Sequence, residues 1–119
     1  MGLDTTHNCW HGSYSAFHDF RDAIARVVTG IPIDKMKGFG GMPGVALGAE
    51  SWDAWADDPI VKLLRHSDSD GEIAVEDCLP IALRLEALAP KLGVWTRHAV
   101  RFACGLREAA LLGEVVEFH

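Results

Sequence analysis

Apolar residues recur at every third or fourth position in several segments of the chain, and this spacing restricts the fold more than any other feature. The first such segment, SYSAFHDFRDAIARVVTG, begins at Ser13 and ends at Gly30. Its apolar positions are Tyr14, Phe17, Phe20, Ile24, Val27 and Val28. This period predicts one face of an α-helix, with Ser13 or Ser15 as the N-terminal cap and Gly30 at the C-terminal end.

Three further helices are predicted downstream. A short one follows the Asp58-Pro59 pair, because aspartate is a good cap and proline suits the first helical position. A longer one begins near Val75, accepts Pro80 only if that residue lies in its first turn, and ends at Pro90. The last extends from about Thr96 to Leu112 and ends before Gly113. The expected buried positions of the two long helices are Val75, Cys78, Leu79, Ala82, Leu85, Leu88 and Leu92, followed by Val100, Ala103, Leu106 and Ala110.

The remaining segments predict a loop and a small sheet. Residues 31–51 are rich in glycine and have no sustained period, so we expect a loosely ordered loop. The tail EVVEFH is typical of a short strand, which could pair with the N-terminal GLDTTH or with Glu72 and Ile73. The predicted fold is α+β, mainly helical with about four helices, in a single domain spanning 1–119.

Composition limits the classes of partner. The chain has 119 residues, is 49% hydrophobic and carries 11 Lys and Arg against 17 Asp and Glu, a net charge of -6. The chain is therefore long and apolar enough to bury a hydrophobic core, whereas charge repulsion disfavours binding to a nucleic acid polymer. Three widely spaced cysteines without a CxxC pair indicate reduced thiols and a cytoplasmic location. No apolar run reaches the roughly 20 residues of a membrane span, and a homo-oligomer is compatible with this size.

The acidic loop, HSDSDGE at 66–72, places His66, Asp68, Asp70 and Glu72 at alternate positions. Counted from His66, it follows the register of an EF-hand calcium loop, but a histidine begins it and Asp77 stands where a longer glutamate is usual. A divalent metal held by His66, Asp68 and Asp70 is one interpretation. The alternative is a solvated turn in which the aspartates cap neighbouring backbone.

A second polar cluster lies in THNCWHGSYSAFH, where His7, Cys9, His11 and His18 accompany aromatic residues. These residues could chelate zinc, or Cys9 could be a nucleophile, but no zinc-hydrolase pattern or oxyanion-hole signature accompanies them. A binding interpretation uses the rings of Trp10, Tyr14 and Phe17 for stacking and the imidazoles of His7 and His11 as donors. Core packing accounts well for Phe17 and less naturally for Trp10.

The glycine-rich segment GFGGMPG at 38–44 offers backbone amides that could hold a phosphate, although it lacks a nucleotide-binding motif. Trp52 and Trp55 border it and could either wall a site or anchor the loop. Cations available for an anionic ligand are Lys35, Lys37, Arg97, Arg101 and Arg107. Arg97 and Arg101 lie one helical turn apart, which makes them the favoured pair.

Two of these stretches, GLDTTHNCWHGSYSAF at 2–17 and HSDSDGE at 66–72, together with the GEVVEFH tail, resemble a family of small uncharacterised phage and prophage proteins. The resemblance implies a phage-type origin, and so a cytoplasmic location in an infected or lysogenic bacterium. It transfers no catalytic residue and no known activity.

We therefore expect a binding protein without enzymatic activity that sequesters a nucleotide-like signal of host immunity, for example an ADP-ribose derivative. One wall of the site would be His7, Trp10, His11 and Tyr14, the other His66, Asp68, Asp70 and Glu72, with the glycine loop as a lid. One alternative is a metal-dependent hydrolase of nucleotides or phosphoesters, with His66 and Asp70 as ligands and Asp68 or Glu72 as base. Another is an inhibitor that binds a host protein through Trp52 and Trp55.

Overall fold

The computed structural model describes residues 2–41 and 43–119. Within them the helices are α1 (Tyr14–Thr29), α2 (Ile60–Leu64), α3 (Val75–Leu88) and α4 (Thr96–Leu112). The strands are β1 (Gly2–Asp4), β2 (His11–Ser13), β3 (Glu72–Ile73) and β4 (Val116–Glu117). The α+β, mainly helical class is confirmed. No helix in these two ranges is both long and apolar enough to cross a membrane.

The helix ends lie where the sequence places them. Ser13 Oγ accepts a hydrogen bond from the amide of Ala16 at 3.1 Å and so caps α1. Gly30 and Gly113 follow α1 and α4 in the left-handed conformation, with φ of 74° and 67°. Glycine adopts that conformation without the steric cost of a Cβ, which is why both helices stop there. Asp58 Oδ1 accepts from the amide of Ile60 at 3.0 Å, as expected of a cap.

The C-terminal tail joins the two small antiparallel sheets. β1 pairs with β2, while β3 pairs with β4 so that Ile73 lies opposite Val116. Beyond β4, the backbones of Asp4 and His119 exchange two hydrogen bonds of 2.8 Å. The tail therefore contacts both of the partners that the sequence suggested, the N-terminal segment and β3.

The core forms where α1, α3 and α4 meet, and its largest fully buried side chains include Phe17, Phe20 and Phe102. Three predicted core positions are wrong, because Val27, Leu79 and Val100 are solvent-exposed. In α4 the buried face is centred on Phe102 and Ala99, so Val100 turns outward. Successive helical residues are rotated by about 100°, and a stripe misjudged by one residue therefore exposes an apolar side chain.

Pro80 also departs from expectation. It is the sixth residue of α3 and lies in the second turn, not the first. Its nitrogen has no hydrogen to donate to the carbonyl of Glu76. Glu76 and Pro80 are both solvent-exposed, so water can reach that carbonyl and the helix continues to Leu88.

The glycine-rich loop is more ordered than predicted. Its two arms exchange backbone hydrogen bonds, from Lys37 N to Glu50 O at 2.8 Å and from Gly48 N to Phe39 O at 2.8 Å. Trp52 is buried, and its Nε1 donates to the carbonyl of Lys37 at 2.9 Å. Trp52 therefore anchors the loop and is not an exposed contact residue for a host protein. Met42, within the loop, lies outside the described residues.

Candidate functional site

Three segments distant in sequence line a cleft of about 460 Å³, a volume typical of small-molecule sites. α1 contributes from one side, the glycine-rich loop from a second, and the residues after α2 from a third. The lining residues are His18, Arg21, Asp34, Lys37, Gly38, Phe39, Gly40, Arg65, His66, Ser67 and Asp68. The cleft therefore joins the glycine-rich loop to the first half of the acidic loop.

Arg21 forms the inner wall of this cleft. It follows Phe17 by four residues and precedes Ile24 by three, so it lies on the buried face of α1, and only 3% of it is exposed. Its Nη1 donates to the carbonyls of Leu64 at 3.1 Å and His66 at 2.5 Å. These carbonyls lie at the C-terminal end of α2, where helical partners are missing and a positive charge is favourable.

The guanidinium of Arg21 is a buried cation. Burial lowers the pKa of Arg21 to about 10, and the nearby negative charge of Asp68 works in the opposite direction. Arg21 is therefore charged at neutral pH. Its Nε is buried without a hydrogen-bond partner, and no carboxylate of the described residues lies within ion-pair distance of it.

Asp34 presents an acceptor in the same cleft. Its Oδ1 lies 3.0 Å from Nε2 of His18, yet the atom is buried and takes part in no hydrogen bond of acceptable geometry among the described residues. The two observations are compatible, because the distance is short while the orientation of the ring does not suit a hydrogen bond. The Asp34 carboxylate therefore has unused acceptor capacity.

The cleft is positive although the chain is acidic. Arg21, Lys37 and Arg65 stand against the carboxylates of Asp34 and Asp68. Three cations and two anions leave one net positive charge when the histidines are neutral, whereas the whole chain has a charge of -6. A local positive site inside an acidic surface attracts a small anion without favouring a polyanionic polymer.

Phe39 places an aromatic ring at the glycine-rich side of the cleft. The ring centroid lies 6.1 Å from that of Trp52, and the Arg21 guanidinium lies 5.5 Å from the Phe39 ring. Backbone amides of the loop are partly used by the loop itself, since Phe39 N donates to Met36 O and Gly41 N to Val45 O. These two amides are therefore not available to hold a phosphate, contrary to the sequence-based expectation for them.

The acidic loop is divided between the cleft and a closed turn. Ser67 Oγ donates to Asp70 Oδ1 at 2.8 Å and accepts from the amide of Ser69 at 3.2 Å, which is the turn-closing arrangement that the sequence allowed. Asp70 and Glu72 do not line the cleft, whereas His66 and Asp68 do.

His66 is held by its own loop. Its Nδ1 lies 2.7 Å from the carbonyl oxygen of Ser67, and its Nε2 lies 2.9 Å from that of Glu72. Its ring centroid lies 4.1 Å from that of Phe118, with the two rings tilted by 34°. Neither nitrogen is directed at a neighbouring carboxylate of the loop. Among residues 2–41 and 43–119, no group of three or more His, Cys, Asp and Glu is placed to hold a metal ion.

The N-terminal cluster does not contribute to the cleft. Trp10 is a core residue, only 4% exposed, with its ring 5.2 Å from Phe17 and 5.3 Å from Phe20. Its predicted role as a stacking wall is therefore wrong, because neighbouring rings already pack against it. His7 lies 2.9 Å from Glu114, and the exposed His11 pairs with Asp4.

The other predicted residues of the N-terminal half are also accounted for. Tyr14 is half-buried against the core and does not line the cleft. Cys9 is buried, and burial raises the pKa of its thiol to about 12. A nucleophilic cysteine needs the opposite shift, so the alternative that assigned catalysis to Cys9 has no support in this geometry.

The favoured arginine pair lies elsewhere. Arg97 and Arg101 are exposed on α4 and do not line the cleft, and Arg107 is paired with Glu86. The cationic residues that do line it include Arg21 and Arg65, which were not among the predicted site residues. One signal was present for Arg21, because a charged residue occupied a position inside the apolar stripe of α1.

Comparison with known proteins found no relative of this chain. No protein-family model, no curated protein and no solved structure matches the chain. The resemblance to small phage proteins stays a prediction, and the geometry of the cleft carries the functional argument.

Proposed function

We propose that this chain is a binding protein that captures a small nucleotide-like ligand by its phosphate groups in the Arg21 cleft. In the phage setting that the sequence resemblance implies, the ligand would be a nucleotide signal of host immunity, such as an ADP-ribose derivative. The protein would act by sequestration, and the ligand would leave unchanged.

The observation that carries this proposal is the buried charge of Arg21. Removing a guanidinium from water costs several kcal/mol unless opposite charge and hydrogen bonds compensate. Carbonyl oxygens supply part of that compensation, but among residues 2–41 and 43–119 Nε has no partner and no carboxylate pairs with the group. A phosphate oxygen in the cleft would supply both an anion and an acceptor.

The rim of the cleft suits the same ligand. Lys37 and Arg65 are exposed there, so they add positive charge without the cost of burial. The ring of Phe39 offers an apolar surface against which a base or sugar can pack. Together these groups would fix the phosphate at the inner end of the cleft and the remainder of the ligand near the loop.

The proposal is tested by melting temperature and calorimetry with ADP, ADP-ribose and cyclic nucleotides, each with and without a chelator. A ligand at about 100 times its dissociation constant stabilises the fold by about 2.7 kcal/mol, which shifts melting by several degrees. We expect a chelator-insensitive shift, at least a ten-fold loss of affinity in Arg65→Gln or Lys37→Gln, and recovery of the ligand intact.

Matched controls are Arg101→Gln and Lys91→Gln, two exposed cations that do not line the cleft. Both should bind like the wild type. Loss of binding in Arg101→Gln with full binding in Arg65→Gln would move the site to the α4 pair and refute the cleft. Chelator-dependent cleavage of the nucleotide would replace the proposal with a metal-dependent hydrolase. Absence of any shift at millimolar concentration would leave a protein partner as the explanation.

A further inference from the structure

We infer that the ligand of the Arg21 cleft is a phosphorylated polyol, whose phosphate accepts from Arg21 and whose sugar-type hydroxyl groups donate to Asp34. This inference rests on the proposed function and narrows it, because it specifies the part of the ligand next to the phosphate. Neither a bare anion nor a nucleobase alone would satisfy it.

The inference comes from two unpaired buried atoms of opposite character. Within the part of the chain that the structure describes, Nε of Arg21 is a donor without an acceptor, and Oδ1 of Asp34 is an acceptor without a donor. Both residues line the same cleft. Buried polar atoms are normally paired, so an unpaired donor and an unpaired acceptor on two residues that line one cavity indicate a ligand that brings one of each.

Charge explains why the donor should be a hydroxyl group. A phosphate placed directly against the Asp34 carboxylate would be repelled, because both carry negative charge. A polyol separates the two anions and turns a hydroxyl hydrogen toward the carboxylate. Vicinal hydroxyls suit a carboxylate especially well, since its two oxygens can accept two hydrogen bonds.

The carboxylate is held in place from the protein side. Asp34 lies in a short 3-10 turn, Ile33–Lys35, and the amide of Ile33 donates to Asp22 Oδ1 on α1 at 2.8 Å. His18, also on α1, lies 3.0 Å from Asp34. Because the Asp34 segment is bonded to α1, which also carries Arg21, the distance between the Asp34 carboxylate and the Arg21 guanidinium stays constant. A constant distance between these two groups allows the cleft to distinguish one ligand from another.

The first experiment compares two probes, glycerol 3-phosphate and n-propyl phosphate, which have the same charge and carbon number and differ by two hydroxyl groups. Calorimetry on the wild-type chain should give at least ten-fold tighter binding of glycerol 3-phosphate. Ribose 5-phosphate should bind at least as tightly as glycerol 3-phosphate. Equal affinity for glycerol 3-phosphate and n-propyl phosphate would overturn the inference while leaving phosphate capture intact.

The second experiment uses Asp34→Asn, with Asp53→Asn as the matched control because Asp53 is exposed and does not line the cleft. Asp34→Asn should lower the ratio of the glycerol 3-phosphate affinity to the n-propyl phosphate affinity to less than three. Asp53→Asn should keep the wild-type ratio. An unchanged ratio in Asp34→Asn would refute the role of Asp34. Failure of both probes and of every nucleotide would refute the proposed function itself.

Discussion

Gly105 shows how closely the N-terminal segment packs on α4, and its replacement by alanine tests that packing. Gly105 is buried in the middle of the helix. A Cβ at this position would lie 2.5 Å from Cys9 Sγ and 2.5 Å from the carbonyl oxygen of His7. The turn that carries these atoms is already constrained, since His7 and Asn8 have φ of 61° and 60°.

Two effects of opposite sign decide the outcome of Gly105→Ala. Alanine in a helix interior is favoured over glycine by about 1 kcal/mol. Overpacking a tight contact costs about 1–3 kcal/mol, and the upper end applies when a backbone oxygen must move. We therefore expect a net loss of about 1–2 kcal/mol in the free energy of unfolding. For a chain of this length that lowers the melting temperature by about 4–8 °C.

Urea unfolding and thermal melting measure this change directly. Cys104→Ala is the matched control, because Cys104 is the exposed neighbour of Gly105 in α4 and its replacement adds helix propensity without a contact. The control should be as stable as the wild type or slightly more so. If Gly105→Ala is also as stable as the wild type, His7 and Cys9 do not lie as close to Gly105 as described above.

Three further predictions concern titratable groups. Burial raises the pKa of Cys9 to about 12 and also raises that of Cys78, while Cys104 is exposed. Iodoacetamide at pH 8 should thus alkylate Cys104 alone in the folded chain, and mass spectrometry showing modified Cys9 would contradict this. The melting temperature should also fall above about pH 9, because the unfolded thiol ionises there while the buried one stays protonated. Finally, Asp68→Asn should tighten phosphate binding two- to five-fold in calorimetry, since Asp68 competes for Arg21; weaker binding would instead make Asp68 a ligand contact.

The helix boundaries were predictable because local chemistry determines them. Ser13 and Asp58 cap through their own side chains, and Gly30 and Gly113 stop helices through their own backbones. The buried face of a helix depends on its neighbours, and this is where prediction failed at Val100. The order of the glycine-rich loop was missed for the same reason, since backbone hydrogen bonds between distant residues maintain it.

The polar clusters of the sequence were a weaker guide to the site. HSDSDGE contains four ionisable side chains, yet Ser67 and Asp70 close its turn and His66 bonds to its own loop. A segment with many charged residues is usually exposed to solvent. Exposed polar residues form hydrogen bonds with their near neighbours in the chain. A binding cleft needs residues brought together by tertiary contacts, as α1, the glycine-rich loop and the residues after α2 are here.

Beside the predicted His66 and Asp68, Arg21 was a further position at which the sequence itself signalled the cleft. Position 21 lies on the buried face of α1 together with Phe17 and Ile24, where an apolar residue is expected. Arg21 is charged and buried there, so the residue type does not match its surroundings. Capping the carbonyls at the end of α2 does not require so costly a group, because an uncharged donor can also bind a carbonyl. The excess lies in the charge and in Nε, and among the described residues no carboxylate pairs with the charge and no acceptor pairs with Nε. Positions where a sequence breaks its own pattern are those where function opposes stability, so Arg21 is the residue on which a ligand should depend most.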